Sequence, residues 1–194
     1  MASAIQKEWV EPTVEYSADS YIETGEGMMK AKVYHAQGKE RREHEVEGEK
    51  SIMIIRYDKR LIWTLIPDAM VYMEIKMIEG SKDNKEDLSN YKIEETVVGE
   101  ETVNGIGTTK SKIIMTNKKT GERLGGFWWV SKEGIVVKMD AVAVDQGSKT
   151  RIKQELKNLK IGKQDHQLFE IPAGYSRMTM PMGSEFNMQD MMKK

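Results

Sequence analysis

Three histidines, His35, His44 and His166, are the residues best suited to proton transfer or metal ligation in a 194-residue chain that has no cysteine. Acid–base or hydrolytic chemistry would need one of them beside a carboxylate and a nucleophile; zinc would need several at ligand spacing. Neither His-Glu-x-x-His nor Gly-x-Ser-x-Gly occurs. His35 and His44 therefore read as surface strand residues that at most approach each other across a hairpin. Asp83, Asn84, Glu86 and Asp87 have the composition of a calcium loop, but Lys85 stands where a ligand should be, and a solvated loop is expected. Gly105-Ile106-Gly107 lacks the following helix of a phosphate cradle and reads as a turn. Met178, Met180 and Met182 put thioethers at alternate positions, which suits soft Cu(I), although Met-x-Met before Pro is equally an apolar strand edge. Without cysteine there is no thiolate nucleophile, disulfide or cysteine-bound zinc. No enzyme activity, catalytic residue or cofactor is expected.

Charge narrows the partners. Thirty Lys and Arg stand against 31 Asp and Glu, and Arg41-Arg42 is flanked by Glu40 and Glu43. No basic stripe forms, so nucleic acid is not an expected partner. No run of about 18 apolar residues is long enough to span a bilayer. No basic segment followed by an apolar one opens the chain; Met1-Ala2-Ser3-Ala4 suits a natural start as well as one that replaces a removed signal peptide.

The elements that must position any site are strands. Residues 14–23 alternate Val14, Tyr16, Ala18 and Ile22 against Glu15, Asp19 and Glu23, and similar alternation recurs at 71–77. Residues 51–57 and 61–66 are instead apolar on both sides, as strands are when both faces are covered. Asn104-Gly105 marks a tight hairpin, because both residues accept positive φ. Turns at 25–27, 38–39, 117–122, 132–134 and 145–148 separate further strands, giving about 11 in all. No helical pattern lies between them, so an antiparallel meander curled into an open barrel or a sandwich is expected. Short helices are expected at 85–89 and 184–194. Residues 1–13 read as an extension, 14–182 as one domain and 183–194 as a Met-rich tail.

Fifteen methionines are present, six of them in the last 17 residues. Flexible thioether side chains on strand faces suit surfaces that adapt to acyl chains, and ordinary core packing uses them too. The run Arg56-Tyr57-Asp58-Lys59-Arg60-Leu61-Ile62-Trp63-Thr64-Leu65-Ile66-Pro67 resembles the "R-x-D-x-x-x-x-W-x-L-x-P" hairpin of bacterial LolA-like proteins, the outer-membrane lipoprotein-sorting family. Phe127-Trp128-Trp129-Val130-Ser131-Lys132-Glu133-Gly134 and Phe169-Glu170-Ile171-Pro172-Ala173-Gly174-Tyr175 are similar to an uncharacterised branch of it.

The resemblance implies a mostly β fold of LolA/LolB type, an open half-barrel with short lid helices over an apolar hollow. It also implies a periplasmic carrier of a lipid, acyl chain or lipoprotein that contacts the membrane surface without spanning it. The lid stretch at 79–90 is short here, and no long helix precedes Val14. The residues expected to line the hollow are Val71, Met73, Ile75, Ile113, Met115, Val137 and Met139, with Trp63 and Trp128 from two-sided strands. The rival is a structural or interaction module whose hollow is filled by its own side chains, with Leu168, Phe169, Ile171 and the terminal methionines as the candidate plug.

Overall fold

A computed structural model describes residues 4–46, 48–77, 91–145 and 147–178. Thirteen strands form one sheet: β1 (Ile5–Lys7), β2 (Tyr16–Thr24), β3 (Gly27–Ala36), β4 (Lys39–Val46), β5 (Glu49–Arg56), β6 (Leu61–Ile66), β7 (Val71–Lys76), β8 (Tyr91–Val103), β9 (Ile106–Asn117), β10 (Arg123–Ser131), β11 (Val136–Asp145), β12 (Ser148–Ile161) and β13 (Ser176–Arg177). Their order is β1-β8-β9-β10-β11-β12-β2-β3-β4-β5-β6-β7-β13, so two meanders join where β12 pairs with β2. All pairings are antiparallel except β13 beside β7. The sheet stays open. The strands beyond the expected number are β1 and β13, of three and two residues, too short to show a period. β1 also brings residues 5–7 into the sheet, ahead of the expected domain start at Val14. Among the described residues there is no α-helix, only 3₁₀ turns at Pro67–Ala69 and His166–Phe169. The lid stretch at 79–90 and the short helices expected at 85–89 and 184–194 lie outside the described residues.

Pairing registers sort the side chains into two faces. One carries Ala18, Val33, Arg42, Met53, Thr64 and Met73 across the first meander, and Met115, Ile113, Gly126, Ala141 and Met139 across the second. The sheet bends toward this inner face. Ile135, in the β10–β11 turn, packs against Tyr16 and Ala18 of β2. The Asn104 side chain, at the β8–β9 turn, donates to the Leu156 carbonyl of β12 at 2.9 Å. Asn104 and Gly105 both take positive φ, 50° and 81°, as the turn requires.

The outer face is charged over β2–β4, mixed over β9–β12 and apolar over β5 and β6, where the chain after β12 returns to cover it. Phe169 is fully buried among Ala36, Ile54, Trp63 and Leu65. Two buried arginines hold this strap by its backbone. Arg41 donates to the Leu168 carbonyl at 3.0 Å and Arg56 to the Phe169 carbonyl at 3.1 Å. Arg56 also makes a two-pronged bond to Asp58, at 2.8 and 2.7 Å, and pairs with Glu170. The Arg56 bond holds the Asp58 carboxyl below the usual carboxylate range despite partial burial. This strap explains why residues 51–66 are apolar on both sides.

Gly125 and Gly126 are adjacent on β10 and opposite in tolerance. A Cβ on Gly126 would overlap the Asp140 carbonyl and Ala141, whereas one on Gly125 would meet nothing within 4 Å. Gly126→Ala is expected to lower unfolding free energy by about 1–3 kcal/mol, the usual cost of forced overpacking. Gly125→Ala should leave it unchanged, and urea denaturation of the two variants side by side checks the contrast.

Candidate functional site

The inner face is the candidate site. It is built from inward positions of strands, so its residues are spaced two apart along the chain and about 5 Å apart between chains. Val71, Met73, Ile75, Ile113, Met115, Val137, Met139 and Trp128 all fall on it. Ile113 and Val137 are fully buried, Met73 and Trp128 nearly so, Val71 and Met139 half-buried, and Ile75 is 42% exposed. Trp63 falls on the other face. Its register partners are Ile54 and Glu74, its ring packs in the cluster of Phe169, and its indole N–H donates to Glu74 at 3.1 Å. Periodicity cannot assign a residue in a strand that is apolar on both sides, and the strap about 100 residues downstream decides it. Of the candidate plug, Leu168, Phe169 and Ile171 pack with Trp63 on that outer face and do not enter the inner one, while the methionines after Met178 lie outside the described residues.

Two polar clusters interrupt the inner face, the Arg42–Glu40 pair on β4 and a group at the β8 edge. Glu95 accepts from the Trp128 indole N–H at 2.8 Å and pairs with Lys7 of β1. The Lys7 ammonium also sits 4.8 Å from the Trp128 ring centroid, and Trp9 tilts against that ring at 6.1 Å. Burial pushes the Glu95 carboxyl up, but Lys7, Trp128 and the nearby Ser111 hydroxyl outweigh it and hold the carboxyl below the usual range. The Ser111 oxygen is the one buried side-chain polar atom among the described residues without a hydrogen-bond partner in strict geometry. Glu95 and Lys7 escaped the sequence reading, although an acid at an inward position, between Ile93 and Val97, was a visible signal.

The histidines are not brought together. His35 faces Glu40 across β3–β4, while His44 faces Ala31 and Ser51. His35 is not a surface residue: it is 4% exposed, stacks on Tyr16 at 4.9 Å, and its Nε2 lies 3.1 Å from the Pro12 carbonyl. N-terminal residues fold onto the inner face and cover it. His166 is exposed in the strap. No group of three or more His, Asp or Glu able to hold a metal occurs among the described residues. Of the thioethers considered for Cu(I), Met178 is described and 39% exposed, whereas Met180 and Met182 lie outside the described residues. Asp83, Asn84, Glu86 and Asp87 also lie outside them.

Residues 20–151 match the family model "Domain of unknown function (DUF4412)". The chain belongs to the DUF4412 family. No curated protein matches it. Among solved structures, this DUF4412 chain is similar to an uncharacterized conserved protein from Thermus thermophilus, at 12% identity and TM-score 0.55, covering 86% of this chain and 90% of that one. It is also similar to a DUF1329 family protein from Desulfovibrio piger, at 13% identity and TM-score 0.33, covering 82% and 90%. The Thermus likeness is one of fold. No helix among the described residues is long and apolar enough to cross a membrane.

The low Glu95 carboxyl makes a directional prediction. A carboxyl held below its unfolded value adds stability that is present above the ordinary carboxylate range and is lost as pH falls through its folded value. Glu95→Gln should therefore cost about 1 kcal/mol at neutral pH, since Lys7 is partly solvated. The difference from the parent should shrink on acidification, and urea midpoints measured at a series of pH values read it.

Proposed function

We propose that this DUF4412 protein is a LolA-like, non-enzymatic binder of an apolar ligand, and that the inner face of its open sheet holds an acyl chain or lipid. The observation that supports this most is the apolar character of that face, which carries aliphatic and thioether side chains from Met73 on β7 to Ile113 and Met115 on β9 and is crossed on β4 by the Arg42–Glu40 pair. Apolar groups of the face meet solvent at Ile75 on β7 and Met29 on β3. Each methylene taken from water contributes about 0.8 kcal/mol, so a short length of acyl chain gives useful affinity without a polar site. The backbone groups of the strands are already paired and ask nothing of the ligand. In this reading the protein works in the periplasm as a carrier for lipids or lipoproteins, meeting the membrane surface without spanning it.

A second reading is an interaction module whose interior is satisfied by its own side chains. The complete burial of Ile113, Val137 and Ile135 favours it. Mass spectrometry separates the two. A carrier purified gently should show bound lipid under native conditions that is lost on denaturation, and a module should show none.

Ile75→Lys places a charge at an exposed position of the inner face and should lower uptake of an apolar dye at least about tenfold, because a charge in that setting must stay hydrated. Lys112→Glu, on the outer face, should change nothing. Equal effects of the two would reject the inner face as the site.

A further inference from the structure

The outer face of the second meander holds a cleft of its own. Its volume is about 500 Å³, it is wide open to solvent, and it is lined by Ile114, Leu124, Gly125, Val142 and Val144 with Arg123 and Lys149. Register explains the cleft. Gly125 stands between Ile114 on β9 and Val142 on β11, so the missing side chain leaves a pit between two aliphatic walls. Nothing lies within 4 Å of where a Gly125 Cβ would be. Ile114 and Val142 are 37% and 36% exposed, so the walls face solvent.

The rim is cationic. Arg123 and Lys149 are the two cross-strand partners of Val144, one on each side, which places their α-carbons about 10 Å apart. Both are exposed, and among the described residues neither forms an ion pair. Two nearby carboxylates are already matched: Asp140 takes a two-pronged bond from Arg151 at 2.9 Å, and Glu94 lies 3.6 Å from Lys92. Two surplus cations at the mouth of an apolar pit complement one kind of molecule, an acid with a hydrocarbon tail.

We propose that this cleft binds a single long-chain carboxylate, its tail in the pit over Gly125 and its acid between Arg123 and Lys149. The site lies on the opposite face from Met73 and Ile113 and stands apart from the carrier reading. Arg and Lys are long enough to meet at one carboxylate, and the approach of an anion relieves their mutual repulsion.

Binding of cis-parinaric acid, followed by its fluorescence, tests this on the full chain in an Ile75→Lys parent, whose inner face no longer takes up the probe. The parent should bind saturably, and its methyl ester at least about tenfold more weakly, as expected for loss of charge-assisted hydrogen bonds. Gly125→Phe fills the pit and should abolish binding while leaving the urea midpoint unchanged, because no atom opposes the new side chain. Arg123→Glu with Lys149→Glu should weaken the acid but not the ester. Acid binding that survives Gly125→Phe in this parent, or that is absent from the parent itself, would overturn the proposal. So would an ester bound as tightly as the acid, or binding to phosphatidylglycerol vesicles with none to the monomeric acid.

Discussion

The pairing of β12 with β2 is the constraint on which the rest depends, because it joins two meanders into one sheet and fixes how their faces correspond. Side chains alternate along a strand, so a slip of one residue there would send the apolar set of the second meander to the face opposite that of the first. The register is pinned at an irregularity. Pairing shifts between Lys157 and Lys160, Asn158 takes φ of 52°, and its side chain donates to Asp19 at 2.7 Å. The neighbouring Leu156 carbonyl, which lies past the β11 pairing, accepts from Asn104 instead. A bulge and two asparagines thus decide that Met73 and Ile113 share a side.

With that correspondence set, each face solves its covering problem differently. The outer face over β4–β6 is covered by the returning strap, and guanidinium groups that would be costly to bury alone are satisfied by its carbonyls and by Asp58 and Glu170. The rest of the outer face is largely charged, apart from the aliphatic cleft over Gly125. The inner face relies on curvature, on small residues such as Ala18, Ala31 and Ala141 where the bend is tight, and on N-terminal residues such as Trp9 and Pro12.

Much of this was legible in the order of residues. Strand positions, the Asn104-Gly105 hairpin and the one-sided sets Val71/Met73/Ile75 and Ile113/Met115 follow from alternation and turn chemistry, which are local. What could not be read is non-local. Arg56 and Phe169 are 113 residues apart, so nothing near Arg56 announces a partner, and the side of Trp63 depends on that same strap. His35 looks like a surface residue between Tyr34 and Ala36 until the Pro12 carbonyl reaches it from 23 residues away. The Glu95 cluster depends on β1, whose three residues carry no period.

β1 and β13 have a consequence for behaviour outside the folded chain. They are the termini of the ordered sheet, and each shields only part of a longer neighbour: β1 pairs three of the 13 residues of β8, and β13 two of the six of β7. Beyond β1, the β8 edge is broken by the shift between Val97 and Gly99 and carries Glu100 and Glu101, features that discourage a second chain from adding there. Proteolytic trimming at either end would strip these short guards and uncover hydrogen-bonding strand, turning the folded protein into a template for fibrous self-association.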